Sequence, residues 1–309
     1  SPKFVKLSFN NLNTNTKTII KYLDITPNDK TILSLPCSYS YGLSIINTHI
    51  EKNATIILTA YSSIQKNFWD LFKKHKDITN FSNVPLVYQF LKQLKIKIFE
   101  NKSFRFFCVA GGHLDYNTAK YIFENCKKNK IRFFIMYGQT EASPRMSFVR
   151  PSDLPNKLGS IGRPINMGKF SLINKQKYQK YKKNTVGELV YSGPNVFIGY
   201  SNNYHDLGLK SAKYKFLKTG DLAYIKNNNY YIVGRISRII KCAGIRVNLD
   251  DIEKELINYN FHTAIIGTDD NMNIFIENES SKNQVMKILK TRYKIHPKFI
   301  NIFLKKIPR

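Results

Sequence analysis

Apolar positions in the first half of the chain follow two alternating rhythms. Residues 104–109 are apolar apart from Arg105, and residues 131–136 apart from Arg132. Such near-continuous runs mark strands buried on both faces. Residues 29–35, stopped by Pro36, and 54–58 read as two further strands. Between the strands the spacing lengthens to a helical one. Ile64, Phe68, Leu71 and Phe72 fall at i, i+4, i+7 and i+8 within 62–74, and Ala119, Ile122, Phe123 and Cys126 form one stripe. Pro85 predicts another helix, to about Leu94, because its missing N–H and fixed φ suit a first helical turn. Strands separated by helices predict a mostly parallel sheet and therefore an α/β unit.

From about Pro151 the rhythm changes. Short strands at 170–173, 187–191, 217–219 and 230–233 alternate with Gly, Pro and Asn turns, which predicts a small antiparallel sheet or β-barrel-like subdomain. Residues 175–183, basic and polar, read as a solvated loop. Beyond Gly234-Arg235 it changes again. Asn248 is placed to cap a helix, with Asp251 three residues on and Ile252, Leu256 and Ile257 as its apolar face. Strands at 263–267 and 273–277 follow, then a helix carrying Val285, Ile288 and Leu289. The expected organisation is an α/β unit over 1–150, a β-rich unit over 151–235 and a compact α+β unit over 236–309, with no internal repeat.

Composition sharpens this picture in three respects. The 309 residues suffice for about two domains, and 42% hydrophobic residues exclude a disordered chain. No uncharged apolar stretch approaches the roughly 18 residues of a spanning helix. Ser1-Pro2-Lys3 leads into polar sequence rather than a signal peptide, and the missing initial Met predicts a chain processed or cut from something longer. The balance of 49 basic against 21 acidic residues, formally +28, raises the question of nucleic acid. The basic residues are mostly Lys scattered along the whole chain, without an interleaved Arg and aromatic patch, so nucleic acid is not the expected partner. The four cysteines form no C-x-x-C pair and the six histidines no H-x-x-x-H cluster. Neither a disulfide framework nor a structural zinc is expected, which fits a reducing cytoplasm.

The sharpest chemical signal is Tyr137-Gly138-Gln139-Thr140-Glu141, just after a buried strand. In open α/β sheets ligands sit beyond the carboxyl ends of strands. Gly138 admits a close ligand, Thr140 offers a hydroxyl to an anion, and Glu141 a hard oxygen suited to Mg²⁺. The same pentapeptide also fits an ordinary strand-end turn with a helix cap. It stands, however, in an ordered series: Val109-Ala110-Gly111-Gly112-His113, then Leu158-Gly159-Ser160-Ile161-Gly162-Arg163-Pro164, Val186-Gly187-Glu188-Leu189, Leu217-Lys218-Thr219-Gly220-Asp221-Leu222, Ile232-Val233-Gly234-Arg235 and Ile240-Lys241-Cys242-Ala243-Gly244-Ile245-Arg246-Val247. In order and spacing this series resembles the adenylate-forming superfamily of acyl-CoA synthetases, luciferases and peptide-synthetase adenylation domains.

The resemblance implies a two-step reaction. A small carboxylic acid attacks the α-phosphate of ATP, giving an acyl-adenylate and pyrophosphate, and a thiol of coenzyme A or of a phosphopantetheine arm on an acyl or peptidyl carrier protein then takes the acyl group. It further implies that Thr140 binds the α-phosphate and Glu141 the Mg²⁺. Gly111, Gly112, His113, Tyr137 and Gly138 would lie about the nucleotide, Gly111, Gly112 and Tyr137 enclosing the adenine, with Asp221 and Arg235 at the ribose. A surface ion pair is the plain alternative for the last two. The stretch with Lys241 and Gly244 would face the site during thiol transfer in a rotating C-terminal domain, or else only pack that domain. At the usual hinge, two residues after Arg235, stands Ser237.

Ser1-Pro2-Lys3 resembles the tail of the family's phosphate loop, with Phe4 in place of the usual Gly, so that Lys3 would face the phosphates. The chain's last residues resemble the run before the family's C-terminal catalytic Lys. The expectation is an impaired fragment, with the first α/β subdomain mostly missing and an apolar face left to drive self-association. The acyl pocket is expected among residues 35–43, Asn83-Val84-Pro85, Gly111-Gly112 and Met146, without an obvious charged residue, which favours an uncharged acyl chain over an amino acid. The competing reading is a non-catalytic nucleotide- or acyl-binding protein that keeps the fold.

Overall fold

A computed structural model of the chain describes residues 4–96, 98–174, 184–208, 214, 216–242 and 245–307. Lys3, Gly244 and the loop read at 175–183 lie outside the described residues. The first half runs β1 (Phe4–Lys6), α1 (Phe9–Leu23), β2 (Lys30–Leu33), α2 (Ser40–Glu51), β3 (Thr55–Leu58), α3 (Lys66–Lys74), β4 (Asn80–Asn83), α4 (Pro85–Gln93), β5 (Phe106–Val109), α5 (Tyr116–Lys128), β6 (Arg132–Gly138), β7 (Arg145–Val149) and β8 (Arg163–Pro164). Seven strands form one sheet in the order β3-β2-β4-β5-β6-β7-β8, parallel as far as β6 and antiparallel beyond it.

Both faces of this sheet are covered by helices of the chain itself. Side chains alternate along a strand, so Phe107 and Val109 join a core with Phe68, Phe72, Leu91 and Ile122 from α3, α4 and α5. Phe106 and Cys108 face the other way, against Ile19 and Leu23 of α1 and Tyr41 and Ile45 of α2. Both faces of the sheet itself are thus covered, while apolar side chains stay exposed at Phe9 of α1, at Ile50 of α2 and on the edge strand β3, where Leu58 is 69% exposed.

Neither covering helix obeys a simple apolar stripe, because its inward face carries polar residues with assigned partners. Ser8 caps α1 by accepting from the Asn11 N–H, and the Asn11 side chain accepts from the Ser8 N–H. Buried Asn11 also donates to the carbonyls of Pro194 and Val196, while buried Asn15 donates to the Arg145 carbonyl at 2.9 Å and accepts from its N–H at 3.3 Å. These bonds compensate the desolvation of the amides and tie α1 to β7 and to the next unit.

That unit contains β9 (Lys169–Ile173), β10 (Gly187–Ser192), β11 (Gly199–Ser201), β12 (Leu217–Lys226) and β13 (Asn229–Arg235). Four of these form an open antiparallel sheet in the order β13-β12-β10-β9 rather than a closed barrel, and β11 pairs with β1. Phe170, Leu189, Tyr191 and Leu217 pack its core against Ala142 and Met146. The last unit has the hairpin β14 (Ile239–Cys242) and β15 (Ile245–Asn248), then α6 (Leu249–Asn258), β16 (Thr263–Thr268), β17 (Asn271–Ile276), α7 (Lys282–Arg292) and β18 (Ile300–Leu304). Asn248 caps α6 by accepting from the Asp250 N–H. Ile252, Leu256, Ile274, Val285 and Leu289 make its separate core. Two residues leave their expected places: Ile64 precedes α3 at 52% exposure, and Ile257 of α6 is 51% exposed. No described helix is long and apolar enough to cross a membrane.

Candidate active site

Parallel β5 and β6 end at the same edge of the sheet, and their exits line a cleft of about 870 Å³ closed by β12–β13 and α6. Gly111 leaves β5 with φ at +85°, and any Cβ there would run into the Tyr39 hydroxyl. Both facts restrict the position to glycine. Gly138 ends β6 opposite Arg145, and a Cβ on it would collide with the Pro144 carbonyl. Glycine thus lets the chain double back in a tight hairpin with Thr140 and Glu141 at its tip. The exposed Thr140 hydroxyl shares a 3.0 Å hydrogen bond with Ser40 at the start of α2. Glu141 accepts from the Tyr200 hydroxyl at 3.0 Å. Burial together with the Glu141 carboxylate pushes the Tyr200 phenol up to about 12.

The opposite wall is built around Asp221, which is 3% exposed. It pairs in register with Arg235 across β12–β13, and Arg235 donates Nε to Oδ1 at 2.9 Å. Tyr137 donates its hydroxyl to Oδ2, and Gln139 donates Nε2 to Oδ2 at 3.4 Å and to the Thr219 carbonyl at 2.8 Å. Burial, then the neighbouring Asp221 charge, drives the Tyr137 phenol well above its ordinary range. Asp221 in turn raises Arg235. Only the Arg235 end of this pair reaches water, with a side chain 59% exposed against 5% for Asp221. The pair is therefore a cleft feature, not the surface ion pair weighed above.

Glycines on one strand end, a hydroxyl and carboxylate on the next, and a buried acid across the gap make a niche for a ligand with both hydroxyls and phosphate. The AMP-binding enzyme family matches residues 1–201. The chain belongs to that family. Among curated relatives, a probable 4-coumarate–CoA ligase 2 of Dictyostelium discoideum is 30% identical over 262 residues, covering 83% of this chain and 47% of that protein. A 2-succinylbenzoate–CoA ligase of Oceanobacillus iheyensis is 26% identical, covering 83% and 51%. The chain thus spans about half the length of the curated relatives it matches. Its fold is that of o-succinylbenzoate CoA synthetase from Bacillus subtilis, solved with its acyl-adenylate intermediate, at a TM-score of 0.76, 22% identity and coverage of 100% of this chain and 64% of that one. The A-PCP unit of McyG with phenylalanyl-adenylate shares it at a TM-score of 0.70, 16% identity and coverage of 98% and 53%.

Within this cleft the structure brings together Gly111, Gly112, His113, Tyr137, Gly138, Thr140, Glu141, Asp221 and Arg235. His113 sits at the rim facing α6, where partial burial and then the Lys254 ammonium lower its pKa. Lys241 is not brought in: it is exposed on β14, its backbone N–H bound to Asp269, and α6 with Asp250, Glu253, Lys254 and Ile257 lines the cleft instead. Met146, expected in the acyl pocket, is fully buried in the β-rich core. Its neighbour Arg145, on the other face of β7 as strand alternation requires, lines the cleft. Arg145 thus brings a charge to the cleft beside Tyr39, Ser40 and Tyr41, from outside the stretches read for the acyl pocket. Tyr200 and Arg145 escape sequence reading because each meets the site only through long-range folding, whereas Ser40 falls within the stretch 35–43 read as pocket lining; Arg145 leaves a trace, a cation next to apolar Met146.

Proposed function

We propose that the protein activates a carboxylic acid with ATP and passes the acyl group to a thiol. The observation that carries this reading is the single cleft in which Gly111, Tyr137, Thr140 and Glu141 face Asp221 and Arg235, in a chain of the AMP-binding enzyme family. A carboxylate oxygen attacks the α-phosphorus as the bond to pyrophosphate breaks. A thiolate sulfur then attacks the acyl carbon and AMP departs. The protein's part is orientation and charge stabilisation. Thr140, held by Ser40, directs its hydroxyl at the α-phosphate; Gly111, Gly112 and Tyr137 leave room for the adenine; Asp221 and Arg235 receive the ribose, whose hydroxyls replace or share the donors now on Asp221.

No group of three His, Cys, Asp or Glu side chains suited to a metal occurs among the described residues. Glu141 alone fits Mg²⁺, which commonly takes one or two carboxylates and fills its shell with water and substrate phosphates. When bound, Mg²⁺ supplies positive charge against the phosphate oxygens; Glu141 keeps it at the hairpin tip. Coenzyme A as the thiol follows the CoA ligases among the relatives, and a carrier-protein arm follows the A-PCP neighbour. Lys241 would take part only after the last unit reorients, and a reducing cytoplasm suits the free cysteines. Calorimetric titration of this chain with AMP tests the reading. Saturable binding of one AMP is expected, and no binding at millimolar AMP would contradict it.

A further inference from the structure

Among the described residues four arginines are partly or wholly buried, and three of them meet carboxylates. Arg105 pairs with Asp24 and Asp29, Arg132 with Asp24, and Arg238 with Asp250 and Glu253. Arg145 is the most buried, at 3% exposure, and its side chain meets no carboxylate among the described residues. Its Nη2 reaches the Ser44 hydroxyl at 3.4 Å, the neutral Tyr22 phenol sits beside the guanidinium, and its Nε has no hydrogen-bond partner. The guanidinium lies 4.1 Å from the centre of the Tyr41 ring. A cation–π contact of this kind offsets part of the desolvation of a guanidinium, and a buried charge ordinarily requires a counter-charge or full hydrogen bonding as well.

The neighbours do not supply that charge. Burial raises the phenols of Tyr22 and Tyr41 and pushes the Cys108 thiol up to about 12, so all three are neutral at physiological pH. The backbone of Arg145 is clamped by Asn15 and Asn195, which fixes where the side chain starts. It lines the same cleft as Thr140, pairs in register with Gly138 and lies on the α2 side, whereas Asp221 and Arg235 form the other wall.

We propose that Arg145 is a specificity-determining residue that selects an acid substrate bearing a second oxyanion, a dicarboxylic acid or a close equivalent, whose distal carboxylate pairs with the guanidinium while the reacting carboxylate lies at Thr140. The proposal rests on the adenylation reading and refines its substrate class. Two N–H groups of a guanidinium aimed at one carboxylate give a strong charge-assisted pair.

The test compares three kinds of ligand on the 309-residue chain by calorimetry: AMP, acyl-sulfamoyl adenosines with a neutral end, and their partners of equal carbon number ending in a carboxylate, from four to eight carbons. At the best-fitting length the carboxylate-ended compound is expected to bind at least about tenfold tighter than its neutral partner, the effect of a hydrogen bond to a charged group. Arg145→Met is expected to abolish that ratio with AMP affinity retained, and Arg145→Lys to keep part of it. AMP binding with no preference for the charged end at any length overturns the Arg145 proposal and leaves the adenylation reading standing. Absence of AMP binding overturns both. The wild-type comparison decides the matter even if Arg145→Met fails to fold.

Discussion

The two walls of the cleft solve the same electrostatic problem in opposite ways. On β12–β13 the buried Asp221 is saturated by the protein's own donors, Tyr137, Gln139 and Arg235. On the α2 side the equally buried Arg145 has neutral neighbours, the Tyr41 ring beneath it, the Tyr22 phenol and a long contact to Ser44, and an orphaned Nε. A buried charge that is already paired forms a rigid receptor, whose ligand must compete with existing hydrogen bonds. A buried charge left unpaired forms a receptor whose ligand supplies the missing partner. The first wall suits neutral hydroxyls such as those of a ribose. The second suits an anion. The hairpin between Gly138 and Arg145 joins them.

The sharpest way to break the comparison is to part the walls at that hairpin. Gly138→Ala forces a methyl into the Pro144 carbonyl, so we expect a loss of about 3 kcal/mol in unfolding free energy by urea denaturation, at the upper end of overpacking effects. An unchanged urea midpoint would show that the hairpin relaxes freely and that the walls are not rigidly coupled.

A second substitution addresses the saturated wall alone. Asp221→Ala is expected to weaken AMP binding by about 1.5–3 kcal/mol, the range for hydrogen bonds to a charged group. Asp221→Asn retains the shape and separates loss of charge from collapse of the Tyr137–Arg235 network. Equal AMP affinity in all three proteins would remove Asp221 from the ribose site.

A smaller effect belongs to the hairpin tip. Glu141→Gln keeps the shape and the contact with Tyr200 but removes the charge. We expect Mg²⁺ to tighten ATP binding in the wild type and to do so about tenfold less in Glu141→Gln, in keeping with a site built on one carboxylate and substrate phosphates. The same Mg²⁺ increment in both proteins would place the metal elsewhere.

How much of this was legible beforehand follows from where hydrophobicity carries the structural signal. The apolar runs at β5 and β6 are visible because both faces of those strands are buried. The strand β4, Asn-Phe-Ser-Asn, is as deeply buried yet carries no such run, because Asn83 donates to Ser63 and buried Asn80 approaches His49. Helix α1 hid for the same reason, with Asn11 and Asn15 where a stripe would hold Leu. Read in order, the motifs picked out residues that the fold brings to one cleft, the glycines, Thr140 and Glu141 at the exits of β5 and β6 and Asp221 with Arg235 on β12–β13. The α2 wall was legible only in part: residues 35–43 were read as lining an acyl pocket, but Arg145 lies about a hundred residues from Tyr41 and Ser44, and only the fold shows that they share one buried volume.

The central claim is that one cleft holds an adenylate with its ribose on Asp221 and its phosphate at Thr140. A crystal structure of this chain grown with AMP tests it most directly. The account predicts both ribose hydroxyls within hydrogen-bond distance of the Asp221 carboxylate, adenine beside Gly111 and Tyr137, and a phosphate oxygen on the Thr140 hydroxyl. AMP bound away from these residues, with the Tyr137–Asp221–Arg235 network undisturbed, would contradict it.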